Sequence, residues 1–201
     1  KGNGVYIIDA FTGDLLRVLD TDRPVPGGVT VVPISTPTTG VPNPDLAFAY
    51  AADTGGNVYR ISGDDGSGGT AIIGDTDPDT WIITKIAAFG CGEDADDSCT
   101  ANRKFLFGPD IVRDLETPTY FRVLLGSGDR EKPIISYSAT AAVQNYFFSF
   151  DDRPLLANWL DDDADNTCGA DILCRGRLFE VTSITGEGAE ISEDYKGYTV
   201  K

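Results

Sequence analysis

The chain contains no histidine, and that gap removes more chemistry than any residue present supplies. Ser-His-Asp and Cys-His hydrolytic arrangements need an imidazole base, so both are excluded. The commonest partner of a zinc-binding cysteine is missing for the same reason. Basic charge is the next scarcity: 16 Lys and Arg face 32 Asp and Glu, a formal charge of -16. A field of that sign repels nucleic acid and anionic lipid, so nucleic-acid binding is excluded as a main role. Long apolar runs are lacking too. The longest, around 29–34, is broken by Pro33, and no membrane span is expected. Helical periodicity is confined to Pro154–Leu160, where Leu155, Leu156, Trp159 and Leu160 suit one or two helical turns.

What the chain does have is strand and turn. Short apolar or alternating segments recur between clusters of Gly, Pro, Asp and Asn, with 23 glycines and 11 prolines to make the reversals. Strands are expected near 4–9, 15–19, 29–34, 46–52, 57–61, 70–73, 81–88, 104–107, 120–126, 133–138, 145–150, 177–182 and 197–200, so the expected fold class is all-β. Two hairpins stand out. In Ala47–Ile61, Phe48 and Tyr50 alternate with small residues, Asp53-Thr54-Gly55-Gly56-Asn57 turns the chain, and Val58, Tyr59 and Ile61 return it. At the start, Val5–Asp9 leads through an Asp-x-x-Thr-Gly turn, Asp9 to Gly13, into Leu15–Leu19. Strand spacing alone fits a sandwich as well as a propeller.

With 201 residues, a single domain spanning 1–201 is the default. Three insertions, near 35–44, 91–102 and 161–174, are expected as surface loops, because buried irregular backbone would leave polar groups unpaired. Four cysteines fall into two local pairs, Cys91 with Cys99 and Cys168 with Cys174. Local disulfides are the favoured reading and one zinc cluster of all four the competing one. Closing such a short loop contributes about 2.5 kcal/mol in the chain-entropy model. Oxidised cysteines place the chain outside the cytoplasm. Inside the last insertion, Asp161, Asp163 and Asp165 set carboxylates at alternate positions, a spacing suited to calcium, with Asn166 at the turn. Ile172 stands where an EF-hand needs its bidentate Glu, so a complete EF-hand is excluded, and a solvated acidic loop is the alternative. Asp75–Asp79 and Asp94–Asp97 form further acidic clusters, the first of which reads as a turn. Asp129, Arg130 and Glu131 read as a salt-bridged turn. The aromatics Tyr137, Tyr146, Phe147, Phe148 and Phe150 read as core.

The opening unit, Val5–Leu19 with its Asp-x-x-Thr-Gly turn, resembles the blade repeat of quinoprotein-type β-propellers. Read together with Tyr50–Arg60, Lys104–Val112 and Val123–Pro133, in that order, it resembles the C-terminal propeller of the PilY family. The likeness runs from Gly4 to about Leu156 and is most specific in Gly126–Glu131 followed by Gln144–Arg153. Members of that family are cell-surface and pilus-tip proteins of bacterial type IV pili. The resemblance therefore implies a β-propeller and a non-enzymatic role in pilus biogenesis and adhesion, exerted through the loops. It implies export through the periplasm to the cell surface, with minor pilins and a host or surface ligand as partners. A quinoprotein-like oxidoreductase and a purely structural extracellular module are the alternatives. No organic cofactor is expected, and calcium is the candidate metal. The family's calcium loop before the Tyr-Ala-Ala-Asp strand keeps only Asp45 here, so that site is not carried over. Blades of about 40–45 residues would make four or five in this chain. The family's propeller is larger, so a partial propeller or a fragment is expected, with both ends reading as cut.

Overall fold

The computed structural model describes residues 2–35, 42–66, 70–74, 76–92, 99, 102–114, 117, 119–129, 142–156, 159–160, 172–181 and 196–201. Among these residues the chain is strand and turn, with two single-turn 3-10 segments and no α-helix. The all-β expectation therefore holds. No described strand set closes into a barrel or a ring of blades; the strands form three open sheets.

The first sheet is the hairpin of β1 (Gly4–Ile8) and β2 (Leu15–Asp20). The second is built on an antiparallel meander of β3 (Thr30–Ser35), β4 (Pro42–Ala52), β5 (Asn57–Asp64) and β7 (Ile82–Ala88). The short β6 (Thr70–Ala71) pairs with β5, and β11 (Leu173–Cys174) joins β7 in parallel. The third repeats the design with β8 (Asp110–Arg113), β9 (Phe121–Gly126), β10 (Phe147–Asp152) and β13 (Gly197–Val200), and β12 (Phe179–Val181) lies parallel to β13.

These sheets lie in layers, and the period of two residues along β4 explains how. Phe48, Tyr50 and Ala52 point one way, into a cluster with Phe121, Val123, Phe148 and Phe150 of the third sheet. Ala49 and Ala51 point the other way, where their small side chains admit Val5 and Leu19 of the hairpin together with Ile61. The middle sheet is thus buried on both faces, and β5 is buried from Asn57 through Gly63. The larger interface is aromatic. Phe89 stacks on Phe148 with centroids 4.5 Å apart, and Phe150 and Phe105 meet this pair edge-on at 5.4 and 5.7 Å. Phe121 contacts both Phe48 and Tyr50 edge-on. Such pairs add about 0.5–1.5 kcal/mol beyond the area they bury.

Several local expectations change. Lys104–Phe107 forms no strand: Phe105 is buried, but its amide donates singly to the Asp53 carbonyl and that of Arg103 to Gly90, outside any ladder. Asp110–Arg113, where no strand is expected, is strand β8. The described part of 154–160 is turn rather than helix. Pro42–Pro44 belongs to β4 and Leu173–Cys174 to β11, so the first and third insertions are shorter than expected. Phe147 is not core. It stands 43% exposed on the outward face of the third sheet, one residue out of phase with Phe148. The strand expected at 133–138 and Tyr137 lie outside the described residues.

Replacing Phe148 by Ala should cost about 3–5 kcal/mol, read as a lower denaturant midpoint in equilibrium unfolding. Phe11, fully exposed at the hairpin turn, serves as control; its replacement should stay within about 0.5 kcal/mol. Equal effects at the two positions would contradict the layered core.

Candidate functional site

Each hairpin turn is organised by an aspartate. Asp53 is fully buried, and its carboxylate accepts from five donors: Gly55 N (2.8 Å) and Asn57 N (3.0 Å) on Oδ1, and Arg23 N (3.2 Å), Asn57 Nδ2 (3.0 Å) and Tyr59 OH (2.9 Å) on Oδ2. Every lone-pair direction of the anion is used, which offsets the cost of burying it. Gly56 completes the turn at φ 82°, and a Cβ there would meet the backbone of Gly90. Asp9 repeats the device at the surface: its Oδ1 accepts from Phe11 N (2.8 Å) and Thr12 N (2.9 Å). Those backbone bonds hold its carboxyl below the usual carboxylate range. Both aspartates shape turns and are structural.

A second buried group joins the two large sheets. Arg60 Nη1 on β5 donates to Asp152 Oδ1 on β10 at 2.7 Å, and Tyr50 OH on β4 donates to Asp152 Oδ2 at 2.8 Å. Burial, reinforced by the Asp152 carboxylate, pushes the Tyr50 hydroxyl well above its ordinary range. Burial pushes Tyr59 up as well, with the Asp53 carboxylate adding to it. At the end of β7, Arg103 donates to the carbonyls of Phe89 and Cys91 through Nη1 and to Gln144 O through Nε at 2.8 Å. Its guanidinium also lies 5.0 Å from the centre of the Tyr146 ring. Burial first, and Arg175 second, lower its pKa. This clamp anchors the loop closed by the Cys91–Cys99 disulfide.

Cys174 is disulfide-bonded as well, and its expected partner Cys168 lies outside the described residues. The calcium candidates Asp161, Asp163 and Asp165 also lie outside them, as do Arg130 and Glu131. Among the described residues no group of three or more Cys, Asp or Glu is placed to hold a metal ion. Asp129 pairs with Lys104 at 3.0 Å, tying the Gly126–Asp129 turn to the segment after the disulfide loop. Asp77 accepts from Asp79 N and caps a 3-10 turn, Pro78–Thr80, so the described part of that acidic cluster makes a turn.

Concave surface lies on the outward face of the third sheet. One cleft of about 640 Å³ runs beside the Gly126–Asp129 turn, walled by Phe107, Leu124 and Phe147 with Asp110 and Asn145 at its edge. A second, of about 440 Å³, lies over the other end of the same strands and carries Arg113, Arg122, Arg153, Tyr120 and Tyr198. Neither was singled out from sequence. The one legible sign was apolar residues at outward positions of the third sheet, Val112 on β8 and Phe147 on β10, where a solvated face would be polar. No family model matches the chain, and no curated protein or solved structure matches it either.

The raised Tyr50 predicts alkaline instability with a definite sign. The unfolded chain loses this proton near the ordinary tyrosine pKa of about 10, whereas the folded chain keeps it. Above that pH the native state binds more protons, so stability falls as pH rises. In urea melts at successive alkaline pH values, Tyr50→Phe should flatten the decline relative to the parent chain. Parallel declines would contradict the buried placement of the hydroxyl.

Proposed function

We propose that the chain is part of a β-propeller of the PilY type, a non-enzymatic cell-surface protein of the type IV pilus system. In this reading the three sheets are successive blades and the loops between strands meet the partner. The observation that carries it is the layering: a two-stranded hairpin and two four-stranded antiparallel meanders follow one another along the chain, with only β11 returning to the second sheet, and bury their faces against each other. That is how neighbouring propeller blades pack. The recurrence of the Asp-capped turn at Asp9 and Asp53 supports a repeated blade unit. The Cys91–Cys99 disulfide supports an oxidising compartment. Minor pilins and a surface ligand are the proposed partners, and the function is assembly and attachment rather than catalysis.

Deleting the coding sequence from the bacterium that makes this chain, with a complemented strain as control, tests the proposal. The expected result is loss of surface pili and of attachment, with the protein itself recovered in the sheared surface fraction of the complemented strain. Full piliation and attachment in the deletion strain, or a protein confined to the cytoplasm, would overturn it.

A further inference from the structure

We infer that the arginine-lined cleft over β8, β9 and β10 is a binding site for a single carboxylate-bearing sugar. This names a ligand class for the attachment reading above and rests on it for the biological setting, though not for the chemistry. The cleft holds about 440 Å³, within the size range of small-molecule sites. Its charge is unusual for this chain. Three guanidiniums, Arg113, Arg122 and Arg153, line it against two carboxylates, Asp114 and Asp151, while the whole protein carries -16.

Arg153 is the residue best placed to take a carboxylate. Its guanidinium carbon lies 4.4 Å from the centre of the Tyr120 ring and 3.8 Å from that of Trp159. Cation–π contact with two rings holds the charge in place without spending a hydrogen bond. Among the described residues no carboxylate pairs with it, and because its Nε is buried, the edge it offers a ligand is that of Nη1 and Nη2. A planar fork held in this way is prepared for a bidentate carboxylate, and the side-chain entropy that such binding usually costs is already lost. Trp159 is fixed in turn by donating through Nε1 to Asp151 O at 3.2 Å, and Lys196 Nζ lies 4.1 Å from its ring centre. Arg122 gives its Nε to Asp151 Oδ1 at 2.7 Å, and that pair is internally neutral. Arg113 donates to Pro33 O at 3.3 Å. The Arg153 guanidinium, met by no carboxylate among the described residues, therefore stands beside the rings of Tyr120 and Tyr198.

That arrangement selects among anions. A polyanion, such as an acidic peptide, meets the repulsion of the whole chain as it approaches. A single carboxylate on an otherwise neutral, hydroxylated ring meets far less of it, and it uses the fork for its charge and the tyrosines for its ring face and hydroxyls.

Titration of the purified chain with glucuronate and with N-acetylneuraminate, followed by ligand-observed NMR and calorimetry, tests the site. Glucose, acetate, inorganic phosphate and a hexa-aspartate peptide serve as comparisons. The expected result is saturable binding of at least one acidic sugar, weaker binding of acetate and phosphate, and none of glucose. Arg153→Gln should weaken it by about tenfold or more, and Arg153→Lys, which keeps the charge and loses the fork, should also weaken it. Should Arg153→Gln lose its cooperative melt, Tyr198→Ala, which removes a ring beside the fork, provides the second reading of the same cleft. No saturable binding of either sugar, equal binding of acetate or phosphate, preference for the peptide, or affinity untouched in folded variants would overturn the proposal. Failure here with piliation lost on deletion sinks this site alone, whereas sugar binding intact with normal piliation sinks the pilus reading alone.

Discussion

One buried carboxylate ties the two large sheets together. Asp152 enters the interface from β10 and is met there by Arg60 of β5 and Tyr50 of β4, the only polar contacts to it among the described residues. Around them the interface is largely aromatic, so the ion pair lies in a low-dielectric setting. A buried pair of this kind adds little net stability over an apolar substitute, but removing one partner costs about 3–5 kcal/mol because the other charge is left stranded. The consequence is registry. Shifting the pairing of β10 with β9 and β13 by one residue would send Asp152 outward, and Phe148 and Phe150 with it. The phenylalanines favour association of the two sheets, and Asp152 selects the alignment in which they associate.

That alignment determines where the outward face of the third sheet stands. Arg122, Leu124 and Phe147 face out because Phe121, Val123, Leu125 and Phe148 face in. The clefts on this surface are therefore consequences of the core: Arg113, Arg122 and Tyr198 stand on strands, and Tyr120 and Arg153 directly flank β9 and β10. The same logic applies at the other end of the stack, where Tyr6 and Ile8 are exposed because Val5 is committed to the middle sheet.

Much of the architecture was legible in the sequence, though unevenly. The two hairpins were clear because Asp, Thr and Gly at fixed offsets dictate a turn, and Phe48 and Tyr50 announce a strand by alternation. The network behind the turn was less so. Asp53 looks like a solvent-facing turn residue until Arg23 and Tyr59 converge on it. Asp152 was hidden for a different reason: in Asp151-Asp152-Arg153 it reads as one more surface charge, and its partners lie 92 and 102 positions away. An arginine inside the apolar run Val58-Tyr59-Arg60-Ile61 was the available clue, since a charge in a strand buried on both faces needs a partner. Lys104–Phe107 misled in the opposite sense, because an apolar run implies burial and burial does not require a ladder. The Arg153 cleft left no periodic trace, since Tyr120, Arg153 and Trp159 reach it from separate segments outside the strands.

The claim most exposed to test is that the two large sheets form one cooperative unit through the Asp152 contact. Native-state hydrogen exchange in rising denaturant reads this directly, amide by amide. The account requires the amides of β4 and β5 and those of β9 and β10 to merge into a single unfolding isotherm. Separate isotherms, with the third sheet opening at markedly lower free energy than the second, would contradict it.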